Sequence, residues 1–354
     1  MDKKKWMIYG ANGYSGELIT RLARKVGLRP VLAGRNQNQI ENLAKSLGLE
    51  SAVFALDDVA TVTRHLAEME LVLHCAGPYV KTAEPMVKAA IAAKTHYVDI
   101  TGEIPAYELI HDYSDAAKDA DIMLLPGSGF DIVPTDCVAA FLKEKMPKAE
   151  KLHLSFQGLG GISAGTLKSA LGQMGSGSKI RKNGKLENIP FFSLRKEISF
   201  AGELTSVYSI PWGDVYTAFF STKIPNIEVY TEIPVPEFIA DAISQSSGLQ
   251  SFLGSDFIVN IGQSLVDAFV DGPDEKSRRT GKTIVIGEVW DAAGNYKKVR
   301  LTAKEGYSYT FESALASVRR ILKGDFKPGF QTPSLAYGWK FALDVAGTDI
   351  REMN

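Results

Sequence analysis

The feature that most constrains this chain is a set of three evenly spaced glycines. Gly10, Gly13 and Gly16 separate a short apolar run, Trp6 to Tyr9, from a stretch with helical periodicity. Strand, glycine-rich turn and helix follow one another in this order in a dinucleotide-binding βαβ unit. There the glycines allow a tight turn, a close approach of the backbone to a pyrophosphate, and close packing of helix on strand. Such a turn between a strand and a helix can also be only a turn.

The pattern of apolar residues predicts two kinds of sheet. As far as residue 147, short apolar runs alternate with helical patterns about six times, as in a doubly wound parallel sheet. From Lys151 onward the strands are longer and alternate in polarity, which indicates a mostly antiparallel sheet with one covered face. Asn183-Gly184 predicts a tight hairpin within this part. We therefore expect an α/β protein with an N-terminal Rossmann domain (a doubly wound parallel sheet) and a second, mixed α/β domain.

The end of the second predicted strand bears on the choice of cofactor. An acidic residue there would accept a hydrogen bond from a ribose 2′-hydroxyl and select NAD. This chain has Gly34-Arg35-Asn36 instead. Because a guanidinium can pair bidentately with a 2′-phosphate, the sequence predicts NADP, with NAD as the second choice. Arg35 could also be an ordinary solvated arginine.

The residues expected to bind the cofactor lie in three loops at the carboxyl ends of predicted strands. The third loop is a short segment fixed by a proline, and we expect it to lie beside the nicotinamide ribose. The complete set is Gly10, Asn12, Gly13, Tyr14, Ser15, Gly16, Arg35, Asn36, Ala76, Gly77, Pro78 and Tyr79.

A hydride-transfer enzyme needs a group that stabilises the charge developing on its substrate. Tyr79 could donate a proton or a hydrogen bond directly, and Asp131 could orient a water, the ribose or a neighbouring donor. Ser163 and Thr166 could supply hydroxyls from the second domain. Each also has a structural interpretation, with Tyr79 packing beneath the nicotinamide and the other three residues acting as helix caps.

Composition excludes several classes of protein. Forty Lys and Arg residues balance 41 Asp and Glu residues, so we expect no general attraction to nucleic acid or to an anionic membrane. No apolar run approaches the ~18 residues of a spanning helix, and we expect no signal peptide. Two cysteines, Cys75 and Cys137, favour a reducing cytoplasm over a disulfide framework. The five histidines lack zinc spacing, so no metal is expected.

Several motifs resemble those of the saccharopine dehydrogenase-like oxidoreductases. The motifs of the first half are Gly10 to Gly16, Ala33 to Asn36, Cys75 to Tyr79, Tyr97 to Glu103 and Pro126 to Asp131. Later segments resemble the branch that contains trans-acting enoyl reductases, namely Gly160 to Thr166, Pro211 to Val215, Ile224 to Tyr230 and Gln331 to Ser334.

This resemblance implies an NAD(P)H-dependent oxidoreductase that reduces an activated C=C, C=N or C=O bond of a small or acyl substrate. It also implies that 330–354 return to the first domain, 1–147, and that 148–329 form a substrate and dimerisation domain, giving a possible homodimer. The alternative is a non-catalytic NADP(H)-binding redox sensor or regulatory module, which the lack of an evident proton donor favours.

Overall fold

The computed structural model divides the chain into two units. The structure describes residues 5–158, 177–233, 237–246 and 273–353, together with the single residues 248, 250, 252 and 255. The first unit comprises Met1–Val133 and Tyr307–Tyr337, and the second comprises Pro134–Gly306 and Gly338–Asn354. No helix in this described part is long and apolar enough to cross a membrane.

A seven-stranded sheet in which all neighbouring strands are parallel forms the centre of the first unit. Its order is β15-β6-β5-β4-β1-β2-β3. With elements numbered in chain order, the strands are β1 (Trp6–Tyr9), β2 (Val31–Gly34), β3 (Ser51–Val53), β4 (Leu71–His74), β5 (His96–Asp99), β6 (Met123–Leu125) and β15 (Gly329–Phe330). The helices of this unit are α1 (Tyr14–Lys25), α2 (Gln37–Leu47), α3 (Val59–Leu66), α4 (Tyr79–Ala93), α5 (Ile104–Asp112), α6 (Ser114–Asp119), α11 (Gly306–Leu322) and α12 (Pro333–Tyr337).

The strands of this sheet are short and apolar because helices cover them. All four residues of β1 and all four of β4 are buried, as in a parallel sheet enclosed by helices. Ile19 and Ala23 of α1 join Leu315 and Val318 of α11 in the same core cluster. The predicted Rossmann domain is confirmed.

A nine-stranded mixed sheet forms the second unit. Its main path is β10-β11-β12-β7-β13-β14-β16, and β8 joins β12 and β9 beside this path. Strands β7 and β12 are parallel, and the remaining pairs are antiparallel. The strands are β7 (Ala149–Gly158), β8 (Ser178–Lys182), β9 (Lys185–Ile189), β10 (Arg195–Ser199), β11 (Leu204–Ser209), β12 (Asn226–Thr231), β13 (Lys282–Asp291), β14 (Tyr296–Lys304) and β16 (Asp349–Met353). The described helices are α7 (Val133–Lys145), α8 (Asp214–Thr222), α9 (Glu237–Gln245), α10 (Glu275–Thr280) and a 3₁₀ helix (Trp339–Asp344).

The two units divide the chain differently from the predicted domains, 1–147 with 330–354 and 148–329. Helix α7 groups with the second unit, whereas α11 groups with the first. The final segment is itself divided, since 338–354 group with the second unit.

Packing explains each difference. A Cβ at Gly287 of β13 would lie 2.4 Å from Val138 of α7, so this helix lies directly on the second sheet. In α11, the Ser313 hydroxyl donates to the carbonyl of Ser128 at 2.8 Å, which ties this helix to the loop after β6. Strand β16 pairs with β14 and thereby joins the second sheet.

Candidate functional site

The turn between β1 and α1 is fixed by Gly10. This residue has φ +80°, and its N–H donates to the carbonyl of Ala33 at 2.8 Å. A Cβ at Gly10 would lie 2.8 Å from the Cβ of Ala76. Because both the positive φ and the close approach exclude a side chain, only glycine fits where β1, β2 and β4 end.

The other two glycines have different surroundings. A Cβ at Gly16 would lie 2.1 Å from the carbonyl oxygen of Gly10, so glycine is needed for α1 to pack on its own turn. A Cβ at Gly13 would lie 3.4 Å from the same oxygen, an ordinary contact. Gly13 is exposed and precedes α1 as its N-cap, and no described side chain caps this helix. The bare backbone at Gly13 is therefore not required by the internal packing of the turn.

Side-chain amides surround the corner between β2 and α2. The Asn12 Nδ2 donates to Gln39 Oε1 at 2.7 Å, and Asn36 Oδ1 caps α2 by accepting from the Gln39 N–H at 3.1 Å. A Cβ at Gly34 would lie 2.9 Å from Asn12 Oδ1, so this amide occupies the space that Gly34 leaves. Arg35 lies exposed at the same corner.

Three predicted cofactor residues, Asn12, Arg35 and Asn36, thus lie at one corner. The sequence analysis missed Gln39, although its place three residues after the N-cap of α2 was a usable signal. Tyr14 and Ser15 are partly buried in the first turn of α1, where the Tyr14 ring meets the Tyr307 ring edge-on with centroids 5.2 Å apart.

The loop after β4 combines exposed and anchored residues. Gly77 and Pro78 are exposed, whereas the carbonyl of Ala76 accepts from the Thr82 hydroxyl at 2.7 Å. The same hydroxyl lies 3.0 Å from Nε2 of His74. Burial lowers the pKa of His74 to about 3, so this imidazole is neutral and supports the loop through Thr82.

Tyr79 opens α4 and is buried. Its hydroxyl donates to the carbonyl oxygen of His74 at 3.2 Å, and its N–H donates to Glu103 Oε1 at 3.2 Å. Burial, together with neighbouring negative charges, raises the pKa of Tyr79 well above its usual value. Both polar groups of Tyr79 therefore have partners within the first unit, which favours a structural role.

Asp131 follows β6 at the carboxyl edge of the sheet and keeps some exposed surface. Its Oδ2 lies 2.9 Å from the point where a Cβ at Gly102 would stand. Burial, and then the negative charge of Glu103, raise the pKa of Asp131 to about 7. Its carboxyl group therefore changes protonation state near neutral pH.

Asp99, at the end of β5, has a different environment. Its Oδ1 accepts from the N–H groups of Thr101 and Gly127 at 2.9 and 2.8 Å, and its Oδ2 accepts from the Tyr97 hydroxyl at 2.6 Å. Burial raises the pKa of Asp99 to about 7 in spite of these donors. Since the contact with Gly127 joins the loop after β6 to the end of β5, Asp99 is a structural clamp.

Two predicted catalytic residues, Ser163 and Thr166, lie outside the described residues. Within the described ranges, no group of three or more His, Cys, Asp or Glu side chains could hold a metal ion.

A parallel sheet of this order, entered through a glycine turn that leads into a helix, defines a Rossmann-type dinucleotide-binding protein. Residues 6–125 match the family model for the saccharopine dehydrogenase NADP-binding domain. This part of the chain is therefore similar to the saccharopine dehydrogenase-like oxidoreductases, and the resemblance predicted from its motifs is confirmed.

Individual relatives agree with this family. The saccharopine dehydrogenase-like oxidoreductase of Mus musculus is 30% identical over 240 residues, which cover 58% of this chain and 56% of that protein. The trans-acting enoyl reductase of Mycobacterium tuberculosis is 31% identical over 138 residues, 37% of this chain and 33% of that protein. This chain thus spans about half the length of the mouse relative.

A solved structure shows the same fold along the whole chain. The apo saccharopine dehydrogenase (L-Glu forming) of Saccharomyces cerevisiae matches with a TM-score of 0.67 at 15% identity, over 99% of this chain and 100% of that one. Both the parallel sheet and the mixed sheet belong to the matched length.

Proposed function

We propose that this protein is an NADPH-dependent reductase that delivers a hydride to an activated C=C, C=N or C=O bond of a small or acyl substrate. The observation that carries the proposal is the open backbone at Gly13. The internal packing of the turn would accept a side chain there, whereas a pyrophosphate approaching the first N–H groups of α1 would not. Gly10 and Gly16 hold that turn in shape.

The β2–α2 corner supports NADP over NAD, which stays the second choice. Arg35 is exposed at the end of β2, and the neighbouring polar side chains are the amides of Asn12, Asn36 and Gln39. A guanidinium and amide N–H groups suit a 2′-phosphate, whereas the position after β2 offers no carboxylate to a ribose 2′-hydroxyl.

The bound cofactor would supply the hydride, so the protein must bind the substrate, orient it and give it a proton. The exposed turn formed by Gly77 and Pro78 would border the nicotinamide ribose, with Ala76 held by Thr82. We assign the proton donor to Asp131 rather than Tyr79, because the Tyr79 hydroxyl already donates to His74. Ser163 and Thr166 remain proposed as hydroxyl donors to the substrate.

The proposed substrate class follows from the names of two relatives, an enoyl reductase and a saccharopine dehydrogenase. The first name denotes reduction of an activated C=C bond, and the second denotes removal of hydrogen from a substrate. Self-association as a homodimer is part of the same proposal, and light scattering on the purified protein tests it separately.

Two measurements test the reductase proposal. Enhancement of NADPH fluorescence on mixing reports binding, and NADPH oxidation against a panel of enoyl, imine and carbonyl compounds reports turnover. We expect binding that is tighter for NADPH than for NADH and turnover of at least one panel member. Tight NADPH binding with no turnover across the panel would favour the redox sensor instead, and no binding of either cofactor would reject both functions.

A further inference from the structure

We propose that Gly102 and Glu103 are positioning residues for Asp131: Gly102 gives the carboxyl group its place, and the negative charge of Glu103 adds to burial in favouring its protonated form. This inference rests on the proposed reductase function for its catalytic meaning. The effect of Gly102 and Glu103 on the protonation of Asp131 can be measured without any substrate.

Glu103 is a charge held in a defined place. Its side chain accepts from two N–H groups in the first turn of α4, those of Tyr79 at 3.2 Å and Val80 at 2.9 Å. Its own N–H donates to the Thr101 hydroxyl at 3.0 Å, and the residue is only 5% exposed. Donors at the positive end of a helix dipole stabilise a carboxylate. Glu103 therefore cannot turn away from its neighbours or into solvent.

Gly102, the residue before Glu103, lies against the Asp131 carboxyl group. A Cβ at residue 102 would stand 2.9 Å from Oδ2 of Asp131 and 3.2 Å from its Cβ. The first distance is shorter than real Cβ contacts and the second is tighter than most of them, so a side chain at 102 would push the Asp131 carboxyl group out of this place. The space left by Gly102 is thus filled by the proposed acid.

The groups that face Asp131 determine the sign of the effect. The negative charge of Glu103, in the segment after β5, raises the pKa of Asp131, and the charge of Asp131 in turn raises the pKa of Tyr79 in α4. Since Tyr79 is a neutral phenol, Glu103 is the described negative charge that opposes ionisation of Asp131. A like charge nearby favours the protonated carboxyl. Removing the charge of Glu103 should therefore lower the pH at which Asp131 releases its proton.

In the proposed reaction Asp131 gives its proton to the substrate and regains one from solvent. As the substrate double bond receives the hydride, the electron pair of its π bond moves to the second atom, which takes the proton from Asp131. Asp131 is then a carboxylate beside the carboxylate of Glu103. Repulsion between these charges promotes recovery of a proton from solvent before the next turnover.

The test follows the Asp131 carboxyl titration in the cofactor-free protein by NMR of carboxyl-labelled aspartate, with Asp131→Asn identifying its signal. In Glu103→Gln we expect the midpoint to fall by roughly one pH unit or more. Asp274→Asn is the matched control, because Asp274 also caps a helix by accepting from a backbone N–H, that of Ser277 at 2.7 Å. This control should leave the midpoint unchanged.

Gly102→Ala provides a second variant in case Glu103→Gln does not fold. It keeps Glu103 and displaces the Asp131 side chain, so the Asp131 midpoint should differ from that of the unmodified protein. An unchanged midpoint in Glu103→Gln overturns the inference, and so does an unchanged midpoint in Gly102→Ala where Glu103→Gln does not fold. Turnover by Asp131→Asn reports on the proposed function separately: full activity there would remove Asp131 as the acid, even where Glu103→Gln shifts the titration as expected.

Discussion

The α-carbon of Gly16 faces the carbonyl oxygen of Gly10 so closely that a Cβ on residue 16 would lie 2.1 Å from that oxygen. Helix α1 can therefore begin beside its own turn only if residue 16 is glycine. At Gly13 the corresponding distance is 3.4 Å, so the turn itself accepts a methyl group there. Packing thus requires glycine at residue 16 and not at residue 13, where we propose that the open backbone admits a pyrophosphate.

This difference predicts opposite outcomes for two alanine variants. Gly16→Ala forces a Cβ against backbone, so we expect a loss of roughly 1–3 kcal/mol in the free energy of unfolding. Gly13→Ala should change stability by less than ~1 kcal/mol, yet weaken NADPH binding by about tenfold or more (~1.4 kcal/mol). Chemical denaturation and fluorescence titration measure the two effects. Full NADPH affinity in Gly13→Ala would mean that no pyrophosphate approaches this position.

The cofactor choice predicts an unequal effect of Arg35→Ala. Loss of a charge-assisted contact to a 2′-phosphate should weaken NADPH binding by ~1.5–3 kcal/mol more than NADH binding. The matched control is Arg21→Ala. Arg21 is also an exposed arginine, but it pairs with Glu17 within α1. Equal affinities for the two cofactors in the unmodified protein would contradict the assignment to NADP.

Local chemistry explains which parts of the fold could be predicted. The glycine turn, the parallel strands and the hairpin at Asn183-Gly184 depend on neighbours in sequence. Asn183 and Gly184 have φ of 49° and 79°, as the hairpin turn between β8 and β9 requires. Strand β16 was missed because its residues are mostly exposed and only pairing with β14 defines it.

Long-range contacts explain what could not be predicted. Helix α7 was expected in the first domain because it follows β6. In the structure it packs on the second sheet, where Val138 of this helix lies against Gly287 of β13. The Tyr79 hydroxyl was a candidate donor until its bond to the His74 carbonyl became visible. Glu103 was predicted only as the end of the motif Tyr97 to Glu103, because its contacts with Tyr79 and Val80 depend on how β4 and β5 pair.

Asp99 predicts how stability depends on pH. The folded protein holds a proton on Asp99 up to pH of about 7, whereas an unfolded chain loses it near ~4. Between these values the folded state binds more protons, so the free energy of unfolding should fall as pH rises. Asp131 adds to the same slope. Asp99→Asn, which preserves the oxygen that accepts from Thr101 and Gly127, should flatten the slope measured by denaturation at pH 5 to 8.

The matched control for this slope is Asp119→Asn, an exposed position on α6. It should leave the dependence of stability on pH as it is in the unmodified protein. If Asp99→Asn keeps the full slope, then Asp99 is already ionised across this range.

A buried ion pair crosses the second unit and predicts a non-additive pair of variants. Lys196 on β10 bonds Glu288 on β13, and their side chains are 20% and 9% exposed. Without Lys196, Glu288 keeps only the described hydrogen bond from the Tyr296 hydroxyl at 2.7 Å, so Lys196→Met should cost about 1–3 kcal/mol. Adding Glu288→Met to that variant should recover a large part of the loss. Additive losses in the double variant, measured by denaturation, would show that the two side chains do not interact.

Tyr79→Phe separates a structural tyrosine from a catalytic one. The hydroxyl donates to the His74 carbonyl within a buried part of the first unit, so its removal should cost about 1 kcal/mol of unfolding free energy. NADPH affinity should be nearly unchanged. Because the hydroxyl proton is already used there, turnover should fall by less than about tenfold, whereas Asp131→Asn should lose roughly 10²-fold or more. The measurement is the initial rate of NADPH oxidation for both variants with the same substrate. A hundredfold loss in Tyr79→Phe with normal stability would make Tyr79 the acid and Asp131 its partner.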